Sequence, residues 1–304
     1  MKSPTFAPIA LFAYKRPDEL RRTLRALQAN YLASQSELYV FIDGARSVTE
    51  EHKVEQVQNI AKTITGFQKI HLHFSEVNNG CANSIINGVS YVLSQHNTVI
   101  VVEDDIVTTP NFLDFINQGL IQYANNPLVF SIGGYTFPFN KPADYFSDVY
   151  FYGRTCAWGW GIWADRWFKT DWSVADSDAF MADPLQQKLF NYYGSDRVRM
   201  LKRFLNGEID TWDIRLCYNQ FKQSKLTVFP TISKTLNIGF NGKDGTNTNN
   251  YDRYGTIVDS GSQRNFNLPV IVEENPYYTQ KLRQKFSVGV RLMNRLRTYL
   301  FLRK

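Results

Sequence analysis

Glu103, Asp104 and Asp105 stand consecutively, directly after the β-branched run 98–102. Three adjacent carboxylates repel one another, and a cation or well-placed donors must relieve that cost. Oxygen ligands of this kind suit Mg2+ or Mn2+, ions that also grip substrate phosphates. The competing reading is an acidic, solvated turn that caps the next helix. Position after a buried strand favours the metal.

A metal that neutralises a departing diphosphate leaves one further need, a base for the hydroxyl that attacks. The candidates are Asp210 and Asp213, in Glu208-Ile209-Asp210-Thr211-Trp212-Asp213-Ile214-Arg215. Asp210 reads as the N-cap of a helix, and Asp213 as either the base or a first-turn acid favoured by the helix dipole. Trp158 and Trp160 could stack on a sugar or simply fill core. Cys81 and Asn83 open the helix after Asn78-Asn79-Gly80, close to where a nucleotide base would lie. His52, His71, His73 and His96 show no ligand spacing and are expected to be structural or surface residues.

These residues need elements to position them. Apolar runs at 9–14, 38–42, 70–74, 98–102 and 128–132 read as strands. Helical stretches begin near Pro17, Thr49, Gly80 and Asn111, and further helices are expected around 185–206 and 211–223. Strand and helix alternating through short loops is the pattern of a mostly parallel α/β sheet. Ligands in such sheets bind beyond the C-terminal strand ends. Arg16, Asp43 and the acidic triplet all follow strands, so they should gather at one edge. No Gly-x-Gly-x-x-Gly or Gly-Lys-Ser/Thr loop is present, which argues against a dinucleotide fold or a P-loop enzyme.

The 304 residues are 43% apolar and 15% aromatic, with a net charge of +6. Eight of the cations (Lys281, Arg283, Lys285, Arg291, Arg295, Arg297, Arg303 and Lys304) lie in 281–304, which holds no acid. Without them, residues 1–280 carry 26 basic against 28 acidic side chains, which argues against a nucleic-acid partner. The tail interleaves these cations with Phe286, Val288, Leu292, Met293, Leu296, Leu300 and Phe301. It reads as an amphipathic helix docking on anionic membrane, or alternatively packing on the domain. Three scattered cysteines form no disulfide framework or zinc spacing. With no signal-peptide pattern and no apolar run long enough to span a bilayer, the expected location is cytoplasmic, at the inner face of the membrane.

The segment Val102-Glu103-Asp104-Asp105-Ile106, followed by Pro110 and Phe112, resembles the metal-site segment of the eukaryotic N-acetylglucosaminyltransferase I family. Trp158-Gly159-Trp160-Gly161 is similar to that family's Gly-Trp turn, and Trp212-Asp213 to its Trp-Asp-Asp-Trp segment. Pro230-Thr231-Ile232-Ser233-Lys234-Thr235, with Gly239 and Gly242 after it, resembles its Pro-Glu-Ile-Ser-Arg-Thr stretch and the loop beyond. The four segments keep the family's order over about 102–245. Phe12-Ala13-Tyr14-Lys15-Arg16-Pro17 and Asn78-Asn79-Gly80 look more like bacterial family-2 transferases, which build surface polysaccharides.

The resemblance implies a GT-A (nucleotide-diphospho-sugar transferase) fold and an inverting glycosyltransferase. It implies a UDP-sugar donor, Mn2+ or Mg2+, and a saccharide acceptor, free or lipid-linked. Asp105 then contacts the metal and Asp213 is the base. Arg16, Asp43, Asn83, Glu103, Asp104, Gly239 and Gly242 face the donor, and Trp158, Trp160, Trp212 and Arg215 the acceptor. Ile214 and Arg215 replace the family's second acid and second Trp, so acceptor contacts differ. Residues 1–135 form the nucleotide-sugar half, 136–272 the acceptor and catalytic half, and 273–304 the basic tail. The rival readings are a sugar-phosphate nucleotidyltransferase, whose Gly-rich basic loop is missing at 14–18, and a non-catalytic carbohydrate-binding or membrane-scaffold protein.

Overall fold

A computed structural model of the protein describes residues 6–241 and 254–301. Gly242, most of the expected closing loop, Arg303 and Lys304 lie outside the described residues. Strand β1 (Ile9–Ala13) is buried at every position, so both its faces need covering. Ile9, Leu11 and Ala13 pack with α1 (Pro17–Gln28), α2 (Val48–Lys62) and α4 (Phe112–Gln122) in one cluster. Ala10 and Phe12 pack with α3 (Cys81–Leu93) in another. Each fully buried aliphatic side chain in these layers contributes roughly 1.5–3 kcal/mol.

Strands β2 (Glu37–Ile42), β3 (Lys69–Phe74) and β4 (Thr98–Glu103) join β1 in parallel, in the order β3-β2-β1-β4. The sheet continues through β8 (Trp160–Trp163), β6 (Val129–Gly133), β9 (Leu226–Pro230) and β7 (Val149–Tyr152). Of these, β6 and β9 pair in parallel, while β8 runs antiparallel to both β4 and β6. The fold is therefore α/β, a central and largely parallel sheet flanked by helices, as the alternation predicts. The strand order after β4 was not legible, because β8 enters the sheet from a Trp- and Gly-rich stretch without an apolar-polar alternation.

Two expectations need correction. The helix expected over 185–206 is two helices, α7 (Pro184–Phe190) and α8 (Arg197–Leu205), after the short α5 (Ala164–Trp167) and α6 (Ser177–Met181). A 3-10 turn and Gly194, a weak helix former, separate them, and Arg154 pairs with Asp196 in the break. Helix α9 (Asp213–Lys222) starts with Trp212 at its N-cap position, so Asp210 is not the cap. A small second sheet pairs β5 (Ile106–Thr108) with β10 (Thr235–Asn237), antiparallel. The tail folds as α10 (Pro276–Lys285) and α11 (Val288–Phe301). Tyr278 and Leu282 anchor α10 in a third, aromatic cluster.

Candidate functional site

Register aligns the strand ends: Ala13 pairs with Ile42, Ile42 with Phe74, and Phe12 with Glu103. The loops leaving β1, β2, β3 and β4 therefore emerge together. Arg16 reaches across this edge. Its Nη1 donates to Asp105 Oδ2 at 2.8 Å, and its Nη2 pairs with Asp104. Asp104 also accepts from the Tyr14 backbone N–H, and its carbonyl accepts from the Thr23 hydroxyl at 2.7 Å. Each Asp104 carboxylate oxygen thus already has one partner. Asp105 keeps one carboxylate oxygen outside the Arg16 contact.

The charges respond to this crowding. Burial, then the Asp105 charge, pushes Glu103 above the usual carboxylate range, with smaller help from Asp104 and Asp213 and opposition from Arg16. Burial also raises Asp104, against Arg16. Burial disfavours the Arg16 charge, but Asp104 and Asp105 outweigh it and hold the guanidinium protonated.

Asp43 organises the neighbouring loop. Its Oδ1 accepts from the N–H of Gly44 and Asn79, and its Oδ2 from the N–H of Gly80 at 3.0 Å. Gly80 has φ +79°, a left-handed value that favours glycine, and a side chain there would meet Asp210 Oδ2. Asn83 is exposed on the first turn of α3 and donates to the Asn79 carbonyl. Cys81 is exposed as a residue, yet desolvation of its sulfur, then the charges of Glu103, Asp104, Asp210 and Asp213, raise the thiol well above its ordinary value. The four acids therefore lie around one cleft mouth.

Asp213 enters that cleft from the first turn of α9. Its Oδ1 accepts from the Thr211 hydroxyl and the Ile214 N–H, and Oδ2 has no hydrogen bond among the described residues. The turn is held from behind: Arg215 Nε donates to the Thr211 carbonyl at 2.9 Å and Nη1 to the Trp172 carbonyl. Trp212 is 5% exposed and stacks on Trp160, their centroids 5.2 Å apart. Trp160 is 1% exposed and also stacks on Trp167, so neither ring offers an open face to a sugar. Trp158 is half-buried, edge-on to Tyr135, Phe240 and Tyr254.

The β5–β10 ladder completes the edge. Asn237 pairs with Ile106, and the Ile238 N–H donates to the Asp105 carbonyl at 2.9 Å. Gly239 follows so closely that a side chain there would overlap the Asp105 carboxylate and touch Arg16. Sequence reasoning missed three supporting groups: Thr23, Thr211 and the Tyr14-Lys15-Glu50 cluster. Both Tyr14 and Lys15 donate to Glu50 at 2.5 Å, which drives Glu50 down to about 2, the Lys15 and Tyr14 hydrogen bonds being the main causes. The adjacency of Tyr14 and Lys15 to Arg16 was the available signal.

The donor set is all oxygen and fits a hard divalent cation. Asp105 has its spare carboxylate oxygen, and no hydrogen bond reaches the Glu103 carboxylate among the described residues. No cluster of three ligating side chains is preassembled among them.

No family model matches the chain, and no curated protein matches it. Among solved structures it is similar to TarS of S. aureus, with TM-score 0.41 and 9% identity over 75% of this chain and 36% of that one. It is similar to the mannosyltransferase PcManGT from Pyrobaculum calidifontis in complex with GDP-Man and Mn2+, with TM-score 0.32 and 11% identity over 53% of this chain and 48% of that one. A cytidylyltransferase from Leptospira borgpetersenii aligns with TM-score 0.37 and 12% identity over 57% of this chain and 66% of that one. The chain thus spans between 36% and 66% of the length of these proteins. Likenesses this loose carry no argument about chemistry, which rests on the geometry of the cleft.

Proposed function

We propose that this chain is an inverting, metal-dependent glycosyltransferase with a GT-A fold. It moves a hexosyl or N-acetylhexosaminyl group from a UDP-sugar to a saccharide hydroxyl, free or lipid-linked, in surface polysaccharide synthesis. The supporting observation is the convergence of Arg16, Glu103, Asp105, Asp213 and Gly239 on one sheet edge.

In this reading residues 1–135 take the donor, with Arg16, Asp43, Asn83, Asp104 and Gly239 around the nucleotide and its phosphates. Asp105, with Glu103 beside it, would hold Mn2+ or Mg2+, which when bound supplies charge neutralisation to the departing diphosphate. Asp213 Oδ2 takes the proton from the acceptor hydroxyl. The acceptor oxygen so deprotonated forms a bond to the anomeric carbon from the face opposite the diphosphate. The carbon–oxygen bond to the diphosphate breaks, its electron pair leaves with UDP, and configuration inverts. Residues 136–272 receive the acceptor, with Trp158 its ring contact and Trp160, Trp212 and Arg215 bracing the Asp213 turn. Residues 273–304 contact anionic membrane at the cytoplasmic face.

The test is Asp213→Asn. Turnover should fall about 10²- to 10⁴-fold, the usual worth of a general base, while UDP-sugar affinity stays within about twofold. Near-normal turnover overturns the assignment. A thermal-shift panel of nucleotide sugars with Mn2+ identifies the donor, since a bound ligand raises apparent stability by mass action.

A further inference from the structure

Helix α11 carries Val288, Leu292, Leu296, Tyr299 and Leu300 on one arc at 3.6 residues per turn. Each is more than half exposed. By the same spacing Arg291 and Arg295 border one side of the arc and Arg297 the other. An apolar arc flanked by cations is the pattern of a helix lying in a lipid interface. The charge is not confined to this helix. Across an open groove of about 450 Å3, Arg295 faces Arg199, Lys202 and Arg203 of α8, with Asn206 and Glu208 completing the wall. Glu208 is the one acid in that lining, and it is paired with Arg203.

We infer that the α8–α11 groove is a second, composite half of a membrane-docking surface, and that it seats the phosphate head group of an anionic lipid. The membrane contact itself belongs to the proposed function; the inference adds α8, a site between the helices, and an orientation. Charge complementarity selects the occupant. Four cations, of which Arg203 is paired with the one acid, leave a net positive charge to meet an anionic phosphate, while the adjoining arc enters the acyl boundary. Helix α8 ends at Leu205, a short turn before Asp210 and Asp213. Phe204 of α8 packs under the Arg215 guanidinium at 4.6 Å, and Arg215 holds the Asp213 turn, so a bilayer held at this groove would bear on the helix that braces the acidic cleft, which suits an acceptor presented from lipid.

The test is flotation of the full chain with vesicles of phosphatidylcholine alone or mixed with phosphatidylglycerol. Three proteins are compared: wild type, Lys202→Gln with Arg295→Gln, and Leu292→Gln with Leu296→Gln. Wild type should bind the anionic vesicles and not the neutral ones. Removing two groove cations should lower the partition coefficient about thirtyfold, with the thermal transition unchanged. If the groove variant floats like wild type while the Leu292/Leu296 variant stays unbound, the groove proposal fails and membrane contact through α11 alone survives. If wild type floats with neither vesicle, or light scattering shows α11 joining two copies, both readings of the tail fail, whereas the transfer assay on Asp213→Asn still stands.

Discussion

Arg16 Nη1 lies 2.8 Å from Asp105 Oδ2 while Nη2 holds Asp104, so one side chain is the counter-charge of two consecutive acids. In Arg16→Gln, Asp104, which is 2% exposed, loses its cationic partner. Breaking a buried pair costs about 3–5 kcal/mol; because Arg16 is partly solvated, the lower end is expected. Urea denaturation measures the loss. Mn2+ should restore more stability to this variant than to wild type, because it supplies the missing positive charge. Equal stability of the two proteins without metal would refute the role given to Arg16.

Gly239 permits the closest approach of chain to acid in the cleft. Ala at this position overlaps the Asp105 carboxylate, and relief requires Asp105 or the 3-10 turn Gly239–Asn241 to move. A displacement of about 1 Å at a reacting centre costs on the order of a hundredfold in rate. The expected phenotype of Gly239→Ala is a fall in kcat/KM of that size with a small change in Tm. Steady-state transfer kinetics beside a melting curve separate the two.

Cys81 provides a reporter of the acidic cleft. The residue is exposed, but desolvation of its sulfur and the neighbouring Glu103, Asp104, Asp210 and Asp213 disfavour the thiolate. At a pH near the ordinary thiol value of about 8.5, iodoacetamide should therefore label it slower than a free thiol. Asp210→Asn removes one of those charges and should speed the reaction. UDP-sugar with Mn2+ should protect the thiol. Labelling at the free-thiol rate in wild type would contradict the grouping of the four acids.

Asp196 and Arg154 form a bidentate pair at 3.0 Å in the break between α7 and α8. Burial works against the Asp196 charge, but Arg154 overcomes it and holds the carboxyl below the usual range. A depressed folded pKa stabilises fully above the unfolded value, about 3.9 for aspartate, and this is lost as pH falls through the folded value. Stability should therefore decline in acid below that point. Asp196→Asn should lack this part of the decline and be about 3 kcal/mol less stable at neutral pH, where it strands the half-buried Arg154. Denaturation midpoints across acid pH check both statements.

The parallel half of the sheet was legible because each of its strands is a near-continuous apolar run, the signature of burial on both faces. The same runs led to Arg16, Asp43 and Glu103, since strand ends determine where loops emerge. Strands β5 and β10 are three residues each and carry no periodicity, so nothing local foretold that Gly239 would reach Asp105. Asp210 was misread as a cap because an acid before a helical pattern usually is one. Helix α9 instead starts three residues later, after Trp212 has been drawn onto Trp160. The burial of Trp160 was equally hidden, because a Trp-Gly alternation marks a core strand and an exposed aromatic turn alike.

The pairing of β5 with β10 also bears on when the cleft comes into existence. Its partners are separated by more than a hundred residues, and contacts that distant in sequence form late, after the loop-closure entropy has been met. A ribosome that has released only the first two hundred residues has made the strand ends bearing Arg16 and the acids. It has not made Asp213 or the segment that seals Asp105. Any chain that ends before Gly239 therefore lacks part of this acidic edge, and the transfer proposed for it requires synthesis to have passed that point.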